Sequence, residues 1–339
     1  MSDRIIVALD AMGGDNAPDA IVEGALWALT ESDAIEVILV GQQDRIEKVL
    51  QGKTYDQERL HIVHASEVIT NDEHPAFAIK KKKDSSITVA LRLVREGKAD
   101  AFVSAGSTGA VLVGGQGIIG RVRGVERPAL APLIPSANGF SLLIDCGASV
   151  DAGPSKLVQF AKMGSIYMKH CMGISNPRVA IANIGTEETK GNQLVQETYP
   201  LLAACDDINF TGSIEARDIP STGADVIVCE AFTGNVILKM YEGVSNVLLA
   251  KMKEVIMSSL KTKIGGALIQ KELKQTMKAF DTSDYGGAPL LGLKHLVVKA
   301  HGSSKAKEIK QAVLQCVAFS KQDIPEKIEQ ALAKKKEEA

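Results

Sequence analysis

The sequence predicts an α/β protein: a three-layer α/β/α sandwich around a mainly parallel sheet, with a helical hairpin projecting from it. Three observations carry this. Short runs rich in β-branched residues alternate with longer segments of helical period along most of the chain. Most of those runs are continuously apolar rather than alternating, as strands covered on both faces are. From Gly243 to Phe280 the strand signal stops, and Val244, Val247, Leu248, Met252 and Val255 fall at helical spacing.

Arg4–Asp10 (RIIVALD) reads as the first strand, and Asp19–Thr30 as a helix with Ile21, Ala25, Ala28 and Leu29 on one face. Ile35–Val40, Leu60–His64 and Ala99–Ser104 read as further strands. Within Ala129–Asp145, Asn138-Gly139 separates LAPLIP from FSLLID, a strong hairpin signal, so part of the sheet is expected to be antiparallel. Strands follow at Val179–Ile184, Ile208–Thr211, Val226–Cys229 and Leu296–Lys299, with helices between them. In the hairpin, KTKIGGALI (Lys261–Ile269) is expected to break at Gly265-Gly266, with a second helix starting at Gln270. The tail Lys334–Glu338 is expected to be frayed helix. No repeat or low-complexity linker divides the chain, so residues 1–339 read as one domain with residues 243–280 inserted as the hairpin.

Composition narrows the function. The 39 Lys+Arg against 41 Asp+Glu leave a net charge of −2, which gives no reason to expect a nucleic-acid partner. Five widely spaced cysteines without a C-x-x-C pair argue against a disulfide framework or a zinc site, and for a reducing compartment. The apolar run Ile5–Leu9 ends at Asp10, too short for a signal peptide or a spanning helix. A cytoplasmic protein without metal or cofactor is expected.

Glycine is the informative excess, 30 of 339 residues. Its clusters follow strands: Gly13-Gly14-Asp15-Asn16, Gly106-Ser107-Thr108-Gly109, Asn183-Ile184-Gly185, Phe232-Thr233-Gly234-Asn235, Tyr285-Gly286-Gly287 and His301-Gly302-Ser303-Ser304. In an open α/β sheet the loops after the strands line one edge, where ligands bind. Glycine lets backbone approach a ligand, and helix N-termini offer unpaired N–H groups, so phosphate is the natural occupant. Tight turns are the plainer reading of any single cluster. Gly115-Gln116-Gly117-Ile118-Ile119-Gly120 matches the dinucleotide pattern but follows a segment read as helix, not a strand, and lacks an acidic residue at the required spacing.

The opening Ala8-Leu9-Asp10-Ala11-Met12-Gly13-Gly14-Asp15-Asn16-Ala17-Pro18 resembles the hallmark of the PlsX family, the acyl-carrier-protein:phosphate acyltransferases. So do Ser104–Ala110, Arg127-Pro128-Ala129, Asn176–Val179, Asn183–Gly185 with Glu187-Glu188, Phe232–Asn235, Tyr285–Gly292 and His301–Ser304, in family order from residue 5 to about residue 320. The sequence departs from the family pattern at Ser107 and Ser149, where Asn is usual, and at Glu230-Ala231, where Asp-Gly is usual. The resemblance implies an isocitrate/isopropylmalate dehydrogenase-like sandwich, a homodimer, and transfer of a long-chain acyl group from acyl carrier protein to inorganic phosphate. The acyl phosphate then feeds a membrane glycerol-3-phosphate acyltransferase that begins phospholipid synthesis. An acyl-CoA-dependent phosphate acyltransferase and a non-catalytic sensor of acyl phosphate remain as alternatives.

Phosphate attacking a thioester needs neither strong base nor covalent intermediate, so positioning and oxyanion stabilisation are expected to dominate. Gly13, Gly14, Asp15, Asn16 and Gly106–Gly109, with the hydroxyls of Ser107 and Thr108, are the expected phosphate or oxyanion cradle, joined by Ser303. Asp10 and Asp15 would repel phosphate directly and are read as loop braces. Arg127 and Lys190 are candidates to neutralise phosphate, with surface ion pairs as the alternative. Asn183 and Asn235 are candidates to orient the carbonyl. His301 is a candidate proton relay or helix cap. Cys146 and Cys229 read as buried inert thiols.

Between Lys251 and Phe280, seven Lys against Glu254 and Glu272 give a local charge of +5. Leu260, Ile264, Leu268 and Ile269 beside these lysines suit an anionic membrane surface, and a dimer-forming hairpin is the competing reading. Lys80–Lys83 and the hairpin lysines are the two candidate docking patches for an acidic carrier protein.

Overall fold

The computed structural model describes residues 4–137, 139–221, 223–278 and 286–333. Asn138, Phe280, Tyr285 and the tail from Lys334 lie outside them. Among the described residues the expected sandwich is present, with its strands divided between two sheets.

The first sheet orders its strands β3-β2-β1-β4-β12-β11-β5: β1 Ile5–Asp10, β2 Ile35–Gly41, β3 Leu60–His64, β4 Ala101–Ser104, β5 Ala129–Leu130, β11 Ala288–Leu291 and β12 Leu296–Lys299. Five of these run parallel; β11 is antiparallel to β12 and to β5. The second sheet orders β6-β7-β10-β8-β9: β6 Leu133–Ser136, β7 Gly139–Ile144, β8 Arg178–Asn183, β9 Asn209–Glu215 and β10 Val226–Val228. Here β6 and β7 form the expected antiparallel hairpin, with Ser136 opposite Gly139, and the other pairs are parallel.

The chain crosses between the sheets at Ala131-Pro132. Ala131 N–H donates to Pro289 O at 3.1 Å in the first sheet, and Pro132 O accepts from Leu143 N–H at 3.0 Å in the second. Proline has no N–H to continue the first ladder, which is why pairing changes sheet there. A pattern of local strands carries no signal for such a division, because it depends on long-range pairing.

The helices are α1 Asp19–Glu31, α2 Gln43–Leu50, α3 Pro75–Lys81, α4 Ser86–Arg95, α5 Thr108–Gly114, α6 Pro154–His170, α7 Gln193–Ala203, α8 Ala231–Met257, α9 Leu260–Leu268, α10 Gln270–Lys278, α11 Ala306–Ser320 and α12 Ile324–Ala333. One face of the first sheet is covered by α1 and α11, which cross so closely that a Cβ on Gly24 would lie 2.7 Å from Ala306 O. The other face carries α4, against which α5 packs. In the second sheet α6 and α7 cover one face, and Ile237, Leu238 and Tyr241 of α8 cover the other, over Leu143, Cys146 and Ile227. Gly115–Ile119, the G-x-G-x-x-G stretch, is a π-helical turn continuing α5.

Two expectations for the hairpin are corrected. The long helix begins at Ala231, well before Gly243, because Glu230 caps it: its carboxylate accepts from Phe232 N–H at 2.5 Å and Thr233 N–H at 2.9 Å. The break falls at Ser258-Ser259 and not at Gly265-Gly266, which lie inside α9. Ser259 and Thr262 form a reciprocal capping box that starts the new helix. Gly266 marks a close approach instead, since a Cβ there would meet Ile256 Cγ2 at 2.5 Å.

Candidate active site

Strands β1, β4 and β12 are parallel neighbours. Their register, Leu9 opposite Val103 and Lys299 opposite Ser104, sets Asp10, Ser104 and Lys299 in one row across the C-terminal strand ends. Asp10 is fully buried. Its carboxylate accepts from Ser104 Oγ at 2.6 Å and from Met12 N–H at 3.1 Å, while Ser104 Oγ accepts from Gly106 N–H at 2.9 Å. Burial raises the Asp10 carboxyl above its ordinary range, opposed by the hydrogen bonds from Ser104, Ser86 and Met12. This is the loop brace the sequence suggested, tying the first glycine loop to the second.

The loops touch backbone to backbone. A Cβ on Gly13 would lie 2.3 Å from Asp10 Oδ2 and 2.6 Å from Gly106 N. Gly14, at φ +98°, would place one 2.9 Å from both Ala105 Cβ and Gly302 O. The third loop joins through Asp15 N–H to Gly302 O at 2.8 Å, and through Asn16 Nδ2 to Ser303 O at 3.0 Å and Ser304 O at 3.1 Å. Gly13, Gly14, Asp15, Asn16, Gly106, Ser107, His301 and Ser303 are therefore one cluster. Ser107 caps α5, its Oγ accepting from Ala110 N–H at 3.4 Å. Thr108 follows it, half-buried, and Gly109 fits against Pro75, whose Cγ would be 2.4 Å from an added Cβ.

His301 is exposed, and its Nδ1 lies 2.8 Å from Ser303 Oγ and accepts from Ser303 N–H at 3.3 Å. An accepting Nδ1 puts the proton of the neutral ring on Nε2, which lies 3.9 Å from Glu242 Oε2 on α8. Glu242 in turn pairs with Lys239 Nζ at 3.0 Å. The helix that covers the second sheet thus passes over the loops of the first. Asn235 is exposed one turn before Lys239 and shares its face of α8.

A second braced loop supports the start of α8. Asp145 is fully buried; its carboxylate accepts from the N–H groups of Leu130 at 2.9 Å, Gly147 at 3.1 Å, Ala148 at 3.0 Å and Ser149 at 2.8 Å. Burial pushes its carboxyl up to about 6, below neutrality, so at pH 7 it is the anion these donors match. Gly234 packs on this loop: a Cβ there would lie 2.0 Å from Asp145 O. Cys146 and Cys229 are buried beside it, and burial raises both thiols well above their ordinary range, as befits inert thiols.

Three further expected site residues lie on other loops. Arg127 is exposed and donates to Gln116 Oε1 at 3.4 Å, which is ~12 Å along the helix axis from the start of α5. Asn183 braces its own loop: its Nδ2 donates to Lys190 O and Ser213 Oγ, both at 3.2 Å, and its Oδ1 accepts from Ile184 N–H at 2.8 Å. Lys190 is exposed on that same loop. Of the Lys80–Lys83 patch, Lys82 is engaged, reaching Glu73 and Val68 O at 2.7 Å each, and Lys81 lies 5.6 Å above the Phe77 ring. At the hairpin, Leu260, Ile264, Leu268 and Ile269 are all exposed.

Sequence reasoning passed over Lys299 and Lys239. Lys299 is 8% exposed, and burial pushes its ammonium down to about 8. Its one legible signal was a lysine closing an apolar strand, LVVK, directly before His301-Gly302. Among the described residues no helix is long and apolar enough to cross a membrane.

The family described as fatty acid synthesis protein matches residues 5–327. A phosphate acyltransferase of Clostridium perfringens is 48% identical over 329 residues, spanning 97% of each chain. Another, of Clostridioides difficile, is 47% identical over 333 residues, spanning 98% of this chain and 97% of that one. A phosphotransacetylase of Streptococcus pyogenes superposes with a TM-score of 0.63 at 17% identity, over 94% of this chain and 95% of that one. The EutD phosphotransacetylase of Staphylococcus aureus does so with a TM-score of 0.59, again at 17% identity, over 94% of this chain and 95% of that one. Those two likenesses are of fold.

Proposed function

This chain belongs to the PlsX family of phosphate acyltransferases, and on that premise we propose that it transfers a long-chain fatty acyl group from acyl carrier protein to inorganic phosphate. The observation that carries the reading is the convergence of three glycine loops, after β1, β4 and β12, on one braced row of strand ends. A phosphate oxygen attacks the thioester carbonyl carbon, a C–O bond forms, and the C–S bond breaks. The thiolate leaves on the carrier, and the acyl phosphate serves phospholipid synthesis.

Phosphate is already anionic near pH 7 and a thiolate leaves readily, so the protein has mainly to align the reactants and stabilise the oxyanion. The loop N–H groups and the Ser107 and Thr108 hydroxyls are suited to the phosphate. Asn235, exposed in the second turn of α8, is suited to the carbonyl. His301 in its imidazolium form, with Nε2 3.9 Å from Glu242 Oε2, is suited to protonate the departing thiolate. The buried, high-pKa thiols of Cys146 and Cys229 support direct attack over an acyl-enzyme. Cys146→Ser and Cys229→Ser variants should keep turnover; a folded variant without it would overturn direct attack.

The exposed Val236, Met240, Val244, Val247 and Leu248 along α8 support a homodimer formed on this face. The lysine-flanked tip residues Leu260, Ile264, Leu268 and Ile269 support peripheral attachment to the cytoplasmic face of an anionic membrane. There the product would meet an acyl-phosphate-dependent glycerol-3-phosphate acyltransferase. Exposed Lys80, Lys81 and Lys83 fit an acidic carrier better than Lys82, which is tied to Glu73.

The test is phosphate-dependent loss of acyl thioester, followed as free thiol, with carrier and CoA thioesters compared. Phosphate-dependent turnover that prefers the carrier is expected. Turnover of CoA thioester alone would reassign the donor, and no turnover of either would leave a sensor.

A further inference from the structure

We propose that Lys299 is the buried cation that receives the phosphate, its ammonium standing as the counter-charge of the anion cradled by the three loops. The inference rests on the acyltransferase reading and deepens it, naming which charge holds the nucleophile.

Lys299 closes β12 and reaches sideways to the end of β4. Its Nζ donates to Ala105 O at 3.4 Å and to Ala300 O. Those carbonyls immediately precede Gly106 and His301, so the ammonium sits at the root of two of the three loops. An ammonium has three protons. Both bonds here go to neutral carbonyls, and among the described residues no carboxylate lies within ion-pair distance of it. The buried Asp10 is hydrogen-bonded by Ser104 Oγ and Met12 N–H and meets the ammonium through its charge alone.

A buried ammonium whose direct hydrogen-bond partners are neutral carbonyls is costly, and that cost is visible in the molecule. Burial pulls Lys299 down to about 8; Asp10 and Asp15 oppose the shift, and Lys239 on α8 adds to it. At pH 7 the side chain is still mainly charged. A tie between two carbonyls needs a donor but no charge, and a neutral donor would make it without this penalty. What the charge suits is an anion arriving at Gly13-Gly14 and Gly106-Ser107, where the neighbouring backbone N–H groups of the glycine loops favour one. Phosphate would bring within hydrogen-bond reach the anionic charge that Asp10 and Asp15 offer the ammonium only through the field.

The experiment uses the full chain and inorganic phosphate. Lys299→Met keeps the shape and removes the charge. In the thioester assay it should raise the phosphate KM roughly 10- to 150-fold, the worth of a charge-assisted hydrogen bond, with a far smaller change in the KM for acyl thioester. In parallel, the thermal shift given by phosphate should be large in the wild type and lost in the variant. On the wild type alone, phosphate affinity should fall about tenfold per pH unit above about 8 as the ammonium discharges. A phosphate KM within threefold of wild type in the variant, or affinity flat from pH 8 to 9.5, overturns the proposal. If the variant does not fold, the wild-type pH profile decides.

The two readings fail separately. Phosphate stabilisation lost on Lys299→Met, in a protein that never consumes acyl thioester, removes the acyltransferase and leaves the cation. Turnover with an unchanged phosphate KM in the variant does the reverse.

Discussion

Replacing Gly13 with alanine adds one carbon at the tightest point of the candidate site. The new Cβ would lie 2.3 Å from Asp10 Oδ2, 2.6 Å from Gly106 N and 2.9 Å from Gly106 Cα, where ordinary contact begins near 3.4 Å. Asp10 cannot swing away, because it is fully buried and its Oδ2 holds Ser104 Oγ at 2.6 Å. The first and second loops must therefore part by about 1 Å, an overpacking that costs ~1–3 kcal/mol. In a chain of this length that lowers the midpoint of thermal unfolding by roughly 1–4 °C. A 1 Å misplacement of a binding loop costs about 10²-fold in turnover, so kcat/KM should fall by that order. The assay is phosphate-dependent thiol release beside a thermal melt, with Gly117→Ala as control. Gly117 is exposed, and nothing lies within 4 Å of its would-be Cβ. Gly13→Ala within threefold of wild-type activity and 1 °C of its midpoint would refute the claim that these loops are locked together.

Three further outcomes are expected. Asp145→Asn replaces one carboxylate oxygen with an amide that cannot accept, stranding at least one of the four N–H donors; the loss should be about 2–5 kcal/mol in urea unfolding. The Asp145 carboxyl is raised from 3.8 to about 6, so its share of stability is fullest below pH 4 and is lost as pH rises through 6, by up to about 3 kcal/mol; the wild-type minus Asp145→Asn difference in urea midpoint, measured from pH 4 to 7.5, reads it. Ile264→Glu/Leu268→Glu should abolish co-sedimentation with anionic liposomes while leaving kcat for soluble acyl thioester within about twofold, since both residues are exposed on α9, beyond the end of α8.

Several parallel strands were legible because they are short, mostly apolar runs, as Ile5–Asp10 and Ile35–Gly41 illustrate. The division into two sheets was not, because it turns on which distant strand each ladder meets; Ala129–Leu130 and Leu133–Ser136 are adjacent in sequence but belong to different sheets. Gly13, Gly106 and His301 were readable as one site because their clusters each follow a strand. Their braces were harder. Asp10 had a visible reason to be a brace, whereas Asp145 binds four amides of its own loop and of β5, a geometry set by folding. The role of Asn183 is no easier to read: an amide beside glycine suits a ligand as well as it suits Lys190 O. Lys299 was missed because a lysine ending a strand looks solvated until the neighbouring strand is known.

Helix α8 begins on the Asp145 loop, passes Glu242 beside His301, and runs 27 residues before it turns at Ser258. At 1.5 Å per residue it is a rod of about 40 Å, with one end at the candidate site and the other at the greasy tip. The two ends are in mechanical series. A tip restrained from outside becomes a fixed pivot, and any torque there is delivered to Asn235 and Lys239 over the loops. Gly243, where an added Cβ would meet nothing within 4 Å, sits near the middle of the rod.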